Sequence, residues 1–537
     1  MERMVISMLK ILISDPLHQA GLDYLNGLSD FQADVQVGLT PEQLLNVIPA
    51  YHGIVVRSET QVSADVLEAG ELLQVVGRAG VGVDNIDLEA ATRQGIAVVN
   101  APTGNTFAAA EHTIALLMAL SRNVPQADAS LKQGEWRRSQ FMGIEVRGKI
   151  LGIIGLGRVG SEVARRALGL DMRVLAFDPY VTADRAARLG IELASFEEVL
   201  EVSDFITLHT PLTASTNQLI GEQELSRMKQ GARLLNVARG GLIDETALLQ
   251  AIESGQISGA GIDVFTQEPA DQIPLVKSPK VISTPHLGAS TVEAQAEVAL
   301  EVAEQVVTVL QGKPAQYTVN MPFVPQATQE LIIPYVQVAV DMGKIAIQLA
   351  KGQISSIVVR YQGEISVGDI KGLRGAILMG LLQPSSNERV NLVNSNLLAE
   401  QRDLRIVEEN DSSPLEEYAS LITLEISTSE GITVVSGTNL RGQTHLVRIH
   451  EDWVDATVEA PYLLFIDHRD QPGLIGAVGS ITGENDINIA FMAVGRKSVR
   501  GRATMVVGLD DPMPDRVLKQ VRSIPNLDDA RLVRLNY

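Results

Sequence analysis

Through the first 290 residues, short apolar runs rich in Val, Ile and Leu alternate with stretches whose apolar positions recur at helical spacing. Lys10–Ser14, Ala33–Val37, Gly53–Val56, Leu73–Val76 and Ile96–Val99 read as strands, with helices between them at Gln19–Leu28, Pro41–Ile48, Ala64–Ala69 and Asp87–Gln94. Such alternation predicts a parallel, doubly wound sheet, which binds ligands beyond the carboxyl ends of its strands. Arg57 and Arg78 fall at two such ends. Two helices, Thr106–Leu120 and one around Pro125–Lys132, interrupt the pattern. It resumes with strands at Ile150–Ile154, Arg173–Phe177, Phe205–Leu208, Leu234–Val237, Gly259–Val264 and Lys280–Ser283, so two doubly wound halves are expected. The Ala-, Val- and Glu-rich helix Thr291–Leu310 is expected to fold back on the first half, making a discontinuous domain of 1–104 and 291–325 around a second of 105–290.

Pro314, Pro322 and Pro325 mark a linker. Residues 326–460 mix helical and strand patterns without a motif that chemistry alone assigns. Residues 461–537 are clearer: Tyr462–Asp467, Leu474–Glu484, Ile487–Val494, Arg502–Leu509, Pro514–Ile524 and Ala530–Leu535 spell βαββαβ, a ferredoxin-like order.

The apolar run Ile150–Ile154 leads into Gly155-Leu-Gly157-Arg-Val-Gly160 and a helical pattern, Ser161–Leu170. In G-x-G-x-x-G the first glycine permits a tight turn, the second lets backbone approach a pyrophosphate, and the third lets helix and strand pack closely, with the helix N-terminus toward the anion. Asp178 follows the next strand, where a carboxylate accepts both ribose hydroxyls of NAD and repels the 2′-phosphate of NADP. A lone glycine motif is weak evidence; strand, glycines, helix and acid in register favour dinucleotide binding over an ordinary turn.

At 537 residues the chain exceeds one core, and three or four domains are expected. The 45% hydrophobic and 20% charged composition suits a soluble globular protein. A net charge of −21 argues against a nucleic-acid surface or an anionic membrane, so an acidic substrate would need a local arginine cluster. The absence of cysteine excludes disulfides, thiolate metal sites and a thiol nucleophile, and no metal site is expected. Lys10 interrupts the apolar start, no cleavage site follows and no apolar run reaches membrane-spanning length, which makes a cytoplasmic enzyme the expectation.

Three stretches beyond strands could supply a hydride-transfer site: Arg239 in Asn236-Val-Ala-Arg-Gly-Gly241, Glu268 in Asp263-Val-Phe-Thr-Gln-Glu-Pro269, and His286 in Thr284-Pro-His-Leu-Gly288. Arg239 could clamp a carboxylate, and a histidine beside a carboxylate serves as a general acid–base. Each alone is more often structural. Their joint placement after successive strands of a dinucleotide domain reverses that preference.

With Val56-Arg-Ser58, Gly77-Arg-Ala-Gly-Val-Gly-Val-Asp-Asn85 and Pro285-His-Leu-Gly-Ala-Ser-Thr291, these motifs make nearly the whole chain resemble the D-2-hydroxyacid dehydrogenases. The resemblance implies a split substrate-binding domain and a Rossmann NAD domain, then an α+β intervening regulatory domain and a ferredoxin-like ACT domain. It implies NAD-dependent oxidation of 3-phospho-D-glycerate to 3-phosphohydroxypyruvate, the opening step of L-serine formation. The family's catalytic set carries over to Arg239 on the substrate carboxylate, His286 as acid–base and Glu268 as its partner.

For NAD the resemblance points to Gly155, Gly157, Arg158, Val159 and Gly160 at the pyrophosphate, Asp178 at the ribose and Thr210 on the adenosine side. Ala238, Asp263 and Gly288 would lie near the nicotinamide. Arg57, Ser58, Arg78, Gly80 and Val81 would hold the phosphorylated substrate, joined by Arg138 from a neighbouring subunit of a homo-oligomer, a dimer or tetramer. In the ACT-like end, the turn in His468-Arg-Asp470-Gln-Pro-Gly473 opens a helix, and His468, Asp470 and Asn488 are candidates for an L-serine effector. Lys371, Arg374 and Arg441 are candidates for an anion in the intervening domain, though basic residues on a solvated face explain them equally well. Rival readings are another hydroxyacid dehydrogenase, using glycerate, lactate or formate, and an NAD-sensing corepressor of the same fold.

Overall fold

In the computed structural model, residues 8–321, 326–368, 370–386, 388–413 and 415–535 are described; the expected linker residues Pro322 and Pro325 lie outside them. The first sheet is parallel, in the order β2-β1-β3-β4-β5, from β1 (Leu9–Ile13), β2 (Phe31–Val35), β3 (Gly53–Val56), β4 (Val75–Arg78) and β5 (Ala97–Asn100). Every residue of β3 is buried, as a continuous apolar run requires of a strand covered on both faces. One face packs Leu44, Ile48, Leu67 and Ala91. The other packs Val298, Val302 and Val306 of the helix Val292–Leu310, so the chain does return to this sheet.

Several boundaries moved, among them Lys10–Ser14 to Leu9–Ile13 and Ile96–Val99 to Ala97–Asn100. The strand expected at Leu73–Val76 is Val75–Arg78, because Leu73 is buried in a turn, its N–H on the Gly70 carbonyl, while Gly77 and Arg78 pair with β3 and β5. The strand expected at Ala33–Val37 starts at Phe31, whose ring is buried. Nor does Pro314 open a free linker. Beyond it, Tyr317 and Val319 hydrogen-bond to the backbone of β5, and Asn320 Oδ1 accepts from Val98 N at 2.9 Å, so the segment straps the open edge of the sheet.

The second sheet is also parallel, in the order β12-β11-β10-β9-β6-β7-β8. Its strands are β6 (Ile150–Ile154), β7 (Arg173–Phe177), β8 (Glu192–Leu193), β9 (Phe205–Leu208), β10 (Ala232–Asn236), β11 (Ile257–Ile262) and β12 (Val281–Ser283). Strand order reverses between β6 and β9, which opens a crevice at their carboxyl ends. The helix after β6 runs Arg158–Gly169, three residues earlier than expected, with Gly157 as its N-cap.

A third, mixed sheet has the order β14-β13-β15-β16-β17-β18. It comprises β13 (Ile354–Gly363), β14 (Ile406–Asp411), β15 (Ser420–Thr428), β16 (Gly431–Leu440), β17 (Gln443–Ile449) and β18 (Asp452–Thr457), with the helices Gln326–Leu349 and Lys371–Leu382 against it. The fourth is antiparallel, β20-β21-β19-β22, from β19 (Tyr462–Arg469), β20 (Ile489–Arg496), β21 (Arg502–Leu509) and β22 (Leu527–Arg534), the expected ferredoxin-like arrangement. These two units share a core: Leu463, Phe465, Val506 and Val533 cluster with Ile345, Ala346 and Tyr361. The third unit also grips the first, with Arg389 donating to the Leu73 carbonyl at 2.9 Å and Asn391 Nδ2 to that of Gly95 at 2.7 Å. Among the described residues no helix is long and apolar enough to cross a membrane.

Candidate active site

The crevice of the second sheet is built for a dinucleotide by backbone first. Gly155 has φ +96°, and a Cβ there would lie 2.5 Å from the His209 carbonyl oxygen, whereas a Cβ on Gly157 would meet nothing within 4 Å. The turn is therefore tight behind and open in front, and the unpaired first-turn N–H groups of the helix Arg158–Gly169 supply an anion site. Asp178 Oδ2 accepts from Leu156 N and Oδ1 from Tyr180 N, both at 2.8 Å, so its carboxylate is oriented and keeps lone pairs for ribose. Thr210 Oγ1 and Asn105 Oδ1 are buried here without a hydrogen-bond partner. Orphaned polar atoms in a cleft call for a polar ligand, and the residues present fit NAD. Asn105 carries no motif; its place just before the long helix Thr106–Arg122 was the available clue.

The loop that carries His286 lies at the end of β12. His286 has φ +55°, a left-handed conformation costly for a side chain with a Cβ and held only where surroundings demand it. Asp263 is the demand: fully buried, it accepts from Thr284 Oγ1 at 2.5 Å, Leu287 N at 2.7 Å and Gly288 N at 2.8 Å. His112 Nε2 stands 3.3 Å from the same carboxylate. Burial works to raise the Asp263 pKa, but the His112 and Thr284 contacts prevail and hold it below the ordinary value. Asp263 and Gly288 thus shape the loop that carries His286. Its Nδ1 meets Glu268 Oε2 at 2.8 Å, while Oε1 accepts from Phe265 N, leaving Nε2 for proton exchange. Burial tends to raise Glu268 as well, yet the hydrogen bond and charge of His286 keep it below the usual carboxylate range.

Across the crevice the first sheet contributes cations. Burial first, then the charges of Arg239 and Arg57, pull the Arg78 pKa down to about 10, with Asp84 and Asp15 pulling the other way. Like charges this close need an anion. Among the described residues neither Arg57 nor Arg78 has a carboxylate within ion-pairing distance, the nearby Glu59 included. Gly80 and Gly82 leave room for the guanidiniums of Arg78 and Arg239 to lie against the loop. Arg239 donates to the Ala238 carbonyl at 2.7 Å and lies 3.6 Å from Asp84. A cavity of about 470 Å³ is lined by Val81, Arg158, Val159, Thr210, Ala238 and Arg239, and one of about 610 Å³ by Ser58, Glu268 and His286. Both span the two sheets.

Other expected residues lie apart. Arg138 is exposed on a short turn, Arg138–Phe141, beside Trp136 and Met142, which are 82% and 85% exposed, and it lines neither cavity. His468 is buried with Nδ1 toward the Ile466 carbonyl. Asp470 is held by Arg496 at 2.5 Å, and Asn488 Nδ2 donates to Asp510 at 2.5 Å. Because β19 and β20 are both antiparallel to β21, they run the same way; Asp470 follows the end of one and Asn488 precedes the start of the other. The two therefore sit at opposite ends of the sheet, and one chain does not bring them together. Arg374 pairs with Glu408 at 3.5 Å, and Arg441 occupies the turn between β16 and β17, on a different element from Lys371.

Comparison with known families adds three matches: a D-isomer specific 2-hydroxyacid dehydrogenase NAD-binding domain over 114–288, a D-3-phosphoglycerate dehydrogenase intervening domain over 331–450, and an ACT domain over 462–526. D-3-phosphoglycerate dehydrogenase of Synechocystis is 43% identical over 98% of this chain and 95% of its own length. The chain belongs to the D-3-phosphoglycerate dehydrogenase family. The Archaeoglobus fulgidus member is 41% identical over 98% of this chain and 100% of its own. Among solved structures, Aquifex aeolicus D-lactate dehydrogenase, complexed with NAD and lactic acid, is 28% identical with a TM-score of 0.53, covering 58% of this chain and 99% of that one.

Proposed function

We propose that this chain oxidises 3-phospho-D-glycerate to 3-phosphohydroxypyruvate with NAD, the first step of L-serine formation, in the crevice between the first two sheets. The observation that carries the reading is the His286–Glu268 pair at 2.8 Å on the sheet that also bears Arg239, facing Arg57 and Arg78 of the first sheet, with Arg239 and Arg57 both repelling Arg78. Arg239 clamps the substrate carboxylate, Arg78 and Arg57 take the phosphate with Ser58, Gly80 and Val81 around it, and C2 is thereby held beside the loop of His286. Neutral His286 removes the hydroxyl proton at Nε2, and the Glu268 carboxylate stabilises the imidazolium that forms. Gly155, Gly157 and the helix N-terminus with Arg158, Val159 and Gly160 hold the pyrophosphate, Asp178 the ribose, and Thr210 and Ala238 the flanking groups. The chemistry that bound NAD supplies is acceptance of the hydride from C2.

The substrate-binding domain in this reading is 1–104 with 291–325, and the NAD domain 105–290. The chain acts as a homo-oligomer: Arg138, exposed near Trp136 and Met142 and lining neither cavity of its own crevice, serves a neighbour's phosphate site. An L-serine effector binds where two ACT domains meet, with Asp470 from one copy and Asn488 from another, which the opposite placement of the two residues requires.

NADH formation with 3-phosphoglycerate tests the activity. His286→Ala should cut turnover by roughly 10²–10⁴-fold with NADH affinity retained. Turnover near wild type in that variant would reject the assignment.

A further inference from the structure

Arg57 stands in a loop, yet its backbone is held from both sides. Asp15, at the carboxyl end of β1 and 3% exposed, accepts from Arg57 N at 2.5 Å, Thr60 N at 3.2 Å and Thr60 Oγ1 at 2.6 Å. From the opposite side Asn85 Nδ2 donates to the Arg57 carbonyl at 2.8 Å and the Thr60 carbonyl at 2.6 Å. Asn85 O also accepts from Val62 N at 2.8 Å, tying the exit of the loop to the same residue. Segments beyond strand ends are ordinarily the mobile part of a doubly wound domain. Here one buried carboxylate and one amide occupy the N–H and C=O groups at both ends of residues 57–60, leaving Arg57 only its side-chain torsions.

We infer that Asp15 and Asn85 are positioning residues that set the substrate-phosphate affinity by fixing the backbone from which Arg57 reaches. The charge of Asp15 also offsets the repulsion felt by Arg78. The inference rests on Arg57 contacting the phosphate, and the test separates the two ideas.

Steady-state kinetics on the full-length protein are compared for wild type, Arg57→Ala, Asn85→Ala and the double variant. Asn85→Ala is expected to raise KM for 3-phosphoglycerate roughly tenfold, the scale of one degraded charge-assisted contact, with kcat within about twofold. In the double variant KM should match Arg57→Ala alone, since a residue acting through Arg57 has nothing left to position. If Asn85→Ala does not fold, Thr60→Val, which deletes only the hydroxyl contact to Asp15, is expected to raise KM by a smaller factor under the same non-additivity. An unchanged KM, a fall in kcat alone, or additive effects in the double variant would overturn the inference while Arg57→Ala still raises KM. An unchanged KM in Arg57→Ala would instead remove the phosphate reading beneath it.

Discussion

The geometry of His286 shows how a single residue is set by its neighbours. Its left-handed backbone is fixed by Asp263, and its ring by Glu268, whose carboxyl is held below the usual range. The Glu268 carboxylate therefore loses its charge only as pH falls through its lowered value. Glu268→Gln keeps the ring's hydrogen bond but removes the charge that favours imidazolium, so the acid limb of the pH–rate profile for oxidation should move to lower pH. A limb at the wild-type position would mean that the pair does not govern proton transfer. Asp178 accepts from Leu156 N in the glycine turn, and in the proposed role at the ribose its carboxylate would repel a 2′-phosphate. Asp178→Ser should weaken NAD binding by roughly tenfold and relax discrimination against NADP, read by binding titrations with both cofactors. Unaltered selectivity would sink that role.

At the level of elements, the crevice is assembled from strand ends. β3 and β4 deliver Arg57 and Arg78, β6 and β7 the glycine turn and Asp178, and β10, β11 and β12 the proposed catalytic set of Arg239, Glu268 and His286. Each arrives from a different part of the chain because parallel strands place all their carboxyl ends on one side. The short turn Arg138–Phe141 is the exception, projecting outward with exposed apolar side chains around it. If it completes a neighbour's site, mixing Arg138→Ala subunits with inactive His286→Ala subunits should recover activity that neither has alone toward limiting 3-phosphoglycerate. Recovery is expected because a hybrid pairs an intact His286 with a partner's intact Arg138. No recovery in assembled hybrids would confine Arg138 to another role.

Over the whole molecule, the third and fourth units behave as one body through their shared core, and the third is bonded to the first at Leu73 and Gly95. Asp341 lies on the helix of that core, 5% exposed, and burial pushes its pKa up to about 6 against the pull of Gln337, Thr444 and Lys344. A carboxyl raised in the folded state contributes most when protonated; that contribution fades as pH climbs from the unfolded value of about 4 through about 6. Asp341→Asn should thus stabilise the protein near pH 7 by on the order of 1–2 kcal/mol and leave it unchanged near pH 4. Urea denaturation at the two pH values measures this, and an equal effect at both would contradict it.

Gly53–Val56, Ile150–Ile154, Arg173–Phe177 and Phe205–Leu208 were legible to the residue because strands buried on both faces are mostly apolar, a property written locally even where Arg173 opens one and Thr207 sits in another. The glycine turn and Asp178 were legible for a similar reason, since a short motif acts within one βαβ unit. Leu73 misled because burial in a turn and burial in a strand look alike along the chain. Tertiary structure alone decided the rest: that Asp263 is spent on shaping the His286 loop, that Asp15 and Asn85 close on residues 57–60, that Tyr317–Asn320 straps β5, and that Asp470 and Asn488 stand at opposite ends of their sheet. Each depends on which distant segments pack side by side. Hydrophobic periodicity records that a residue is buried and not against what, so those contacts exist only once the sheets have formed.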